Sequence, residues 1–241
     1  MIGVIASAVG GVGAASAAAW TYGSLAPESQ WFGPTIVAGR DAAEFALTFD
    51  DGPNDPWTGR LLDTLARFQV RATFFLIGKY VRERPDLVRE IYAAGHLIGN
   101  HTVTHPWLAM QRAARVREEL AGCNAALEDV LGQKVRFFRP PHGSRRPEVL
   151  QAARELGLTA VMWNAMGFDW RPKITVERIE AHLQRGIARN QQRGRGSNLL
   201  LHDGGHLAMG ADRSQSVKAT RMILEGHAPG KVRYVTADAW A

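Results

Sequence analysis

The sequence predicts an α/β fold, a (β/α)7 barrel in which seven parallel strands alternate with helices. From residue 44 onward, short β-branched or aromatic runs alternate with longer segments of helical period. Parallel strands need a crossover, usually a helix, so this alternation favours a parallel sheet. Polar residues follow five of the seven predicted strands. We favour a barrel over an open doubly wound sheet, because a barrel gathers all these strand ends around one mouth.

The predicted elements are short strands and amphipathic helices separated by turns rich in Gly and Pro. β-Branched and aromatic residues predict seven strands: Glu44–Phe49, Ala72–Leu76, His96–Gly99, Arg136–Phe138, Thr159–Trp163, Asn198–Leu201 and Arg233–Thr236. Apolar stripes of helical period predict helices near residues 58–68, 80–94, 112–131, 147–156, 176–189 and 214–226. We expect these elements to form one domain, residues 44–241.

The first twenty residues carry no charged side chain, and the first basic residue of the chain is Arg40. An apolar segment of this length just spans a bilayer as a helix, and Ala15-Ser16-Ala17 is typical of a signal-peptide cleavage site, although the usual preceding basic residues are missing. We therefore expect residues 1–20 to form an apolar helix that acts as a signal-like segment or a membrane anchor. Residues 21–43, rich in Gly, Pro and Ser, are predicted to be a linker. The expected location is that of an exported protein, either membrane-anchored or periplasmic/extracellular.

The composition is basic, with 29 Lys and Arg against 23 Asp and Glu, a net charge of +6 and a pI of about 9.9. This charge suits anionic surroundings such as an envelope polymer, a lipid surface or a nucleic acid. The densest basic stretch, Arg171 to Arg195, has no interleaved aromatic residue and no nucleic-acid motif, so it is interpreted as a solvated face and no nucleic-acid partner is expected. The single cysteine, Cys123, lies on an apolar helical stripe and is predicted to be a small buried hydrophobe. Nothing in the composition predicts an oligomeric state.

Two carboxylates and two histidines predict a metal site at the barrel mouth. Asp50 and Asp51 follow the first strand, and His101 and His105 follow the third, with Pro106 indicating a tight loop rather than a helix. Two imidazoles and one carboxylate leave an open coordination position, as in catalytic zinc sites. A water on such a metal becomes a usable nucleophile near neutral pH. One of the two Asp side chains can bind the metal while the other acts as a general base.

Two further motifs supply polar groups at strand ends. In "RPPHG", Arg139 can hold a carboxylate bidentately, which would suit the base, and a backbone N–H near His142 can face a developing oxyanion. A structural salt bridge is the alternative role for Arg139. In "NLLLHDGG", His202 ends a buried strand, where it can act as a general acid or as a third metal ligand.

The stretch "WNAMGFDW", residues 163–170, places Asp169 and two tryptophans at another strand end. Aromatic rings at the mouth of a barrel can stack on the faces of sugars. Trp163 is interpreted equally well as a core residue.

These motifs together resemble those of the polysaccharide deacetylases of the NodB-homology type, carbohydrate esterase family 4, over residues 44–237. Five motifs of that family occur in order: "TFDDGP", "HTVTH", "RPPHG", "DW" and "LLH". The resemblance implies a distorted (β/α) barrel of about seven units. It also implies a metal-dependent hydrolase that removes N- or O-acetyl groups from a polysaccharide such as peptidoglycan or a chitin-like oligomer.

The resemblance also implies a role for each motif residue. Asp50 corresponds to the base that acts on a metal-bound water, Arg139 to the residue that orients it, and His202 to the general acid. Zinc, or a similar divalent ion such as cobalt, would be bound by three residues: Asp51, His101 and His105. The amide of His142 would face the oxyanion, and the acetyl pocket would be lined by Leu200 and Trp170.

The chain departs from the family pattern at two positions. Where the fourth motif usually has an Asp that orients the acid, this chain has Met166, so Asp169 is expected to take over that task for His202. His142 stands where the third motif usually has an aromatic Tyr or Phe; the backbone chemistry survives that change.

Three functions remain open at this point, and the first is favoured. The first is a deacetylase of an acetylated glycan. The second is a glycan-binding pseudoenzyme of the cell envelope, which Met166 would permit. The third is a metallohydrolase that acts on an amide or ester other than a sugar acetyl group. The intact base, metal ligands, arginine and acid favour an active enzyme, because drift after loss of activity should affect them no less than Met166.

Overall fold

A parallel sheet of eight strands forms the centre of the structure, a computed structural model that describes residues 16–241. The strands are β1 (Glu44–Gly52), β2 (Thr73–Leu76), β3 (Leu97–Asn100), β4 (Phe137–Phe138), β5 (Thr159–Ala160), β6 (Ala165–Met166), β7 (Ser197–His202) and β8 (Arg233–Tyr234). Their order is β5-β4-β3-β2-β1-β7-β6, and β8 pairs with β1. All seven strand pairings are parallel, so the carboxyl ends lie at one edge.

Helices connect the strands and cover the sheet. The described part of the N-terminal helix, α1, is residues 16–25. The others are α2 (Trp57–Arg67), α3 (Gly78–Glu83), α4 (Pro85–Ala93), α5 (Ala113–Leu131), α6 (Pro147–Glu155), α7 (Val176–Gln192) and α8 (Ser214–Gly226). The prediction of one helix over 80–94 is wrong. Pro85 disfavours helical geometry at Arg84, whose φ of −132° and ψ of 60° separate α3 from α4.

The core lies between the sheet and these helices. All nine residues of β1 are buried, because β2 and β7 flank this strand. Phe45, Leu47 and Phe49 pack into the main hydrophobic cluster. Cys123 of α5 is fully buried in the same cluster, as predicted from its position on the apolar stripe.

The barrel is distorted because its two outermost strands, β5 and β6, do not pair with each other. The predicted strand Thr159–Trp163 is therefore wrong in extent. The Val161 N–H still donates to the Phe138 carbonyl of β4 at 2.8 Å, but the next residue pairs with the N-terminal segment, where the Met162 N–H donates to the Ile36 carbonyl at 2.7 Å. The Asn164 side chain then substitutes for ladder hydrogen bonds, accepting from the Asn198 N–H at 2.8 Å. The predicted fold class, a distorted α/β barrel, is confirmed.

The N-terminal segment differs from the predicted linker. Residues 21–25 belong to α1, and Ile36 forms a parallel bridge with Val161. Buried Arg145 donates hydrogen bonds to backbone carbonyls of residues 24, 26 and 29. Gly- and Pro-rich composition predicts turns, but it carries no signal for these distant partners. Residues 24–37 thus pack against the barrel.

The predicted membrane segment, residues 1–20, lies largely outside the described residues. Only residues 16–20 fall within them, as the first residues of α1 seen in the structure. Within residues 16–241, no helix combines the length and the apolar character needed to cross a bilayer. The apolar helix and the anchor therefore stay predictions.

Candidate metal and active site

A backbone irregularity at the end of β1 brings two adjacent carboxylates into one site. In a regular strand, successive side chains point to opposite faces of the sheet. Here the register with β2 shifts between Asp50 and Gly52, and Asp51 has a φ of 73°. As a result, both carboxylates approach His101: its Nε2 lies 3.7 Å from Asp50 Oδ2 and 3.4 Å from Asp51 Oδ1.

Asp51, His101 and His105 form the candidate metal site, named the metal cluster. Their potential ligand atoms all lie within 4.8 Å of one another, and all three residues are buried. Asp51 Oδ1 is 3.4 Å from His101 Nε2 and 3.2 Å from His105 Nε2. His101 Nδ1 is 2.8 Å from the Arg139 carbonyl, a contact that places the proton on Nδ1 and leaves Nε2 free to bind a metal.

The residues present fit a divalent cation. Asp51 Oδ1 has no hydrogen-bond partner within the described part of the chain although it is buried, and an unpaired buried polar atom costs about 1–3 kcal/mol. Burial raises the pKa of the Asp51 carboxyl, but three neighbouring imidazoles outweigh it and hold that pKa well below its usual range. An ionised carboxylate facing two imidazole nitrogens is a donor set typical of zinc.

The two histidines lie on a tight loop, as Pro106 indicates. Thr102 and His105 both have positive φ, 67° and 62°. The Asn100 side chain accepts a hydrogen bond from the Thr102 N–H at 2.7 Å, and the Thr102 hydroxyl accepts one from the His105 N–H at 3.0 Å. Buried Glu119 of α5 accepts three more from the loop, from the Val103 and Thr104 N–H groups and the Thr104 hydroxyl. These contacts fix the positions of both imidazoles.

Asp50 is held by a fully buried guanidinium. Arg139 Nη1 donates to Asp50 Oδ1 at 2.8 Å and to the Thr48 hydroxyl at 2.8 Å. The expected bidentate contact with the carboxylate is wrong, because Nε and Nη2 donate instead to the carbonyls of Val161 and Met162. This arrangement leaves Asp50 Oδ2 free to face the metal cluster.

On the other side of the mouth, His202 pairs with Asp169. Its Nδ1 lies 2.8 Å from Asp169 Oδ1, and its backbone N–H donates to Oδ2 at 2.7 Å. The Ser216 hydroxyl donates to the same Oδ2 at 2.6 Å. Burial lowers the pKa of His202, but the Asp169 carboxylate has the opposite effect, and on balance the pKa is raised to about 9. The imidazolium therefore prevails at neutral pH.

The positions of His202 and Met166 bear on two other expectations about the proposed general acid. His202 is not among the three residues of the metal cluster, which weighs against its alternative role as a third ligand. Met166 packs against Met162, Trp163 and Leu200 in a small apolar cluster. It is Asp169, and not a residue at position 166, that contacts the imidazole.

The residues predicted to contact substrate are only partly exposed. Trp170 is 44% exposed, and its ring centroid lies 5.1 Å from that of His202. Leu200 is buried on β7 beside Trp163, which is also buried and thus belongs to the core. His142 has a φ of 58°, and its ring stacks on Trp107 with centroids 4.0 Å apart.

The sequence patterns miss one residue of this site, His206. Its ring stacks on that of His105 with centroids 4.4 Å apart, and its Nδ1 lies 3.8 Å from Asp51 Oδ2. The backbone carbonyl of His206 accepts a hydrogen bond from Lys79 Nζ at 2.9 Å. Its one sequence signal is its place four residues after His202, in the glycine-rich turn "DGGHLAMG".

Comparison with known proteins places this geometry in a family. A family model described as polysaccharide deacetylase matches residues 39–161. The chitooligosaccharide deacetylase of Sinorhizobium fredii is 39% identical over 171 residues, which cover 69% of this chain and 75% of that protein.

Three solved structures share the fold. The Bc1960 peptidoglycan N-acetylglucosamine deacetylase has a TM-score of 0.75 at 31% identity, over 86% of this chain and 91% of that one. A family 4 acetyl xylan esterase from Clostridium thermocellum, in complex with a cobalt ion, has a TM-score of 0.71 at 29% identity, over 82% and 89%. The family 4 pseudoenzyme BA3943 of Bacillus anthracis has a TM-score of 0.75 at 25% identity, over 86% and 68%.

The family match spans about half of the chain, and the Sinorhizobium relative is covered over three quarters of its length. The fold agrees with solved members of carbohydrate esterase family 4. The chain therefore belongs to the polysaccharide deacetylase family of hydrolases, and its relatives named as chitooligosaccharide and peptidoglycan deacetylases act on carbon–nitrogen bonds other than peptide bonds.

Proposed function

We propose that this protein removes N-acetyl groups from amino sugars of a polysaccharide, either peptidoglycan or a chitin-like oligomer. The carrying observation is that Asp50, bound by Arg139, and His202, bound by Asp169, face each other in register on neighbouring strands beside the metal cluster. The names of two relatives, a chitooligosaccharide deacetylase and a peptidoglycan N-acetylglucosamine deacetylase, support N-acetyl over O-acetyl groups.

Asp50 is the proposed general base. Its Oδ1 is occupied by Arg139, while Oδ2 is turned toward the metal cluster and can accept a proton from an attacking water. His202 is the proposed general acid, since its Nδ1 is bound to Asp169 and the Nε2 proton is left for the leaving amine. The backbone amide of His142 is proposed to stabilise the oxyanion. Trp170 and Leu200 are proposed to contact the acetyl-bearing sugar.

Asp51, His101 and His105 are the proposed ligands of a divalent ion, zinc or alternatively cobalt. When bound, such an ion would polarise the acetyl carbonyl and lower the pKa of water. The cobalt complex of the related acetyl xylan esterase supports a divalent ion in this fold. The protein keeps the three ligand atoms together, and Arg139 binds Asp50, which would leave Asp50 to act as the base rather than as a ligand.

A glycan-binding pseudoenzyme is the second candidate, because the fold matches a pseudoenzyme as well as it matches an active deacetylase. Met166 permits this function if it leaves His202 without a carboxylate partner. The contact between Asp169 and His202 removes that argument, since the imidazole has a carboxylate partner without an Asp at position 166. We therefore favour the enzyme.

Acetate release tests the proposal. The protein is incubated with acetylated chito-oligosaccharide, peptidoglycan, acetylated xylan and a small acetylated amide, each with added zinc, added cobalt or a chelator. We expect release from an N-acetylated glycan that chelator abolishes and metal restores. Binding of these glycans without acetate release under any condition would indicate the pseudoenzyme, and release from small amides alone would indicate a different metallohydrolase.

We also propose that the protein acts at the cell envelope, tethered through residues 1–20. The uncharged first twenty residues support this location. So do Trp20 and Tyr22 of α1, which are both 49% exposed, because these residue types are enriched at membrane interfaces. Fractionation of cells that express the full chain or a chain lacking residues 1–15 tests it: we expect only the full chain with the membranes. Equal distribution of the two would contradict the tether.

A further inference from the structure

A cavity separate from the catalytic residues lies beside edge strand β6, at the gap where the barrel fails to close. Its volume is about 360 Å³, within the range of small-ligand pockets. It is bounded by edge strand β6, by α7 and by the N-terminal segment at Pro27 and Glu28. None of the proposed base, acid or metal ligands lines it.

The cavity is lined by cationic side chains without acidic partners. Arg185 and Arg189 are four residues apart, on one face of α7, and both line it. Neither forms an ion pair within residues 16–241. The only carboxylate in the lining, Glu28, is already paired with Arg195 at 2.8 Å. The wall of the cavity therefore carries uncompensated positive charge.

The arginines are placed to bind an anion. Arg189 Nη2 donates to the Asn164 carbonyl at 2.5 Å, which holds this side chain against the cavity wall. Arg185 Nη2 contacts His182 Nδ1 at 2.7 Å, and its other guanidinium hydrogens have no partner within the described part of the chain. Guanidinium groups recognise carboxylates and phosphates through two parallel hydrogen bonds.

A row of aromatic rings connects the cavity with the catalytic centre. Phe168 lines the cavity, and its ring centroid lies 5.5 Å from that of Trp170. Trp170 in turn lies 5.1 Å from the ring of His202. Arg171 adds a further cation, 4.3 Å above the Phe168 ring. A glycan whose acetylated sugar lies at His202 can extend over these rings, which suit sugar faces, to the cavity.

We propose that this cavity is a distal subsite for an anionic group, a carboxylate or phosphate carried by the glycan. The inference rests on the proposed deacetylase function and narrows its substrate class to negatively charged acetylated polysaccharides. It also gives a function to part of the basic stretch 171–195, which the sequence alone interprets as a solvated face.

Exchange of Arg185 for Gln tests the subsite, with Arg178→Gln as the matched control. Both side chains are exposed on α7, but Arg178 does not line the cavity. Three substrates are compared: a neutral acetylated chito-oligosaccharide, a peptidoglycan fragment whose muramic acid carries a carboxylate, and a phosphorylated oligomer of N-acetylglucosamine. We expect Arg185→Gln to lower kcat/KM about tenfold on at least one anionic substrate, as for loss of one charged hydrogen bond, and to leave the neutral substrate unchanged.

The two anionic substrates distinguish a carboxylate subsite from a phosphate subsite. An equal loss on neutral and anionic glycans, no loss on either, or the same loss in Arg178→Gln would overturn the proposal. Binding of the three glycans to the Asp50→Asn protein, measured by calorimetry, does not need turnover. If no glycan is deacetylated, the proposed function fails, and a binding preference for the anionic glycans that Arg185→Gln removes still decides the subsite.

Discussion

At the scale of single residues, the site depends on an irregular backbone around two adjacent carboxylates. The positive φ of Asp51 directs its carboxylate toward His101, the residue that the Asp50 carboxylate also faces. Two glycines make room for this turn. A Cβ on Gly204 would collide with the Asp51 backbone carbonyl, and one on Gly52 would collide with the Asp203 carboxylate. The repulsion between the carboxylates is offset because Arg139 binds Asp50 and the imidazoles of His101 and His105 lie beside Asp51.

Exchange of Asp50 for Asn separates the base from the metal ligand. We expect kcat to fall by about a thousandfold, because the amide cannot accept a proton, while bound zinc stays at the wild-type level. Acetate release and metal content by atomic emission measure the two effects. In the matched variant Asp51→Asn, we expect both kcat and metal content to fall. A wild-type rate in Asp50→Asn would contradict the assignment of the base.

Exchange of Asp169 for Asn tests the origin of the His202 charge. The Asp169 carboxylate raises the pKa of His202 to about 9, so the acid form is present below that pH and is lost as the pH rises through it. Without the carboxylate, we expect the basic limb of the kcat/KM profile, measured from about pH 6 to about pH 10, to move to lower pH.

Ser216→Ala is the control for this experiment. It removes the 2.6 Å hydrogen bond to the same carboxylate but keeps the negative charge beside His202. We expect its basic limb to move less than that of Asp169→Asn. Identical profiles for wild type and Asp169→Asn would show that His202 is not the acid.

At the scale of elements, helix α5 and the histidine loop form one unit. The loop after β3 has positive φ at Thr102 and His105, so its own backbone does not favour this shape. Glu119, buried on α5, accepts three hydrogen bonds from the loop and pairs with Arg115. The order in which these elements occur in the sequence predicts none of these contacts.

Exchange of Glu119 for Ala should loosen the metal site without touching a ligand. We expect zinc affinity to fall by about 10- to 100-fold, as is typical when a group that orients a ligand is lost. Competition with a chromophoric chelator measures it. Glu118→Ala, whose side chain is 65% exposed, is the neighbouring control and should leave affinity unchanged. Equal affinity in both variants would show that Glu119 does not position the loop.

At the scale of the whole molecule, the sequence predicts the site better than the boundaries of the elements. Polar residues after Phe49, Gly99 and Leu201 mark strand ends, and parallel strands bring such ends together whatever their lengths. The pairing of Asp169 with His202 can also be predicted from the sequence, because both residues follow predicted strands. The stacking of His206 on His105 cannot be predicted, because it depends on loop geometry that no local sequence pattern encodes.

The N-terminal segment shows the same limit. Its composition predicts turns and a linker, yet Arg145 binds it to the barrel. This guanidinium is buried without a carboxylate partner among residues 16–241, and burial lowers its pKa to about 10. It donates to the carbonyls of Ser24, Ala26, Ser29 and Gly143. Since Gly143 belongs to the "RPPHG" motif, Arg145 joins the N-terminal segment to the catalytic loop.

Exchange of Arg145 for Ala should therefore destabilise the whole domain. The variant leaves several buried carbonyls unpaired, so we expect the free energy of unfolding to fall by about 3 kcal/mol, measured by urea denaturation. Arg136→Ala removes an exposed arginine and should change it by less than about 0.5 kcal/mol. If the two variants unfolded at the same urea concentration, the N-terminal segment would contribute nothing to stability through Arg145. A large loss in Arg145→Ala alone is the result expected if Ser24, Ala26 and Ser29, to which Arg145 donates, fold as one unit with the catalytic loop that carries Gly143.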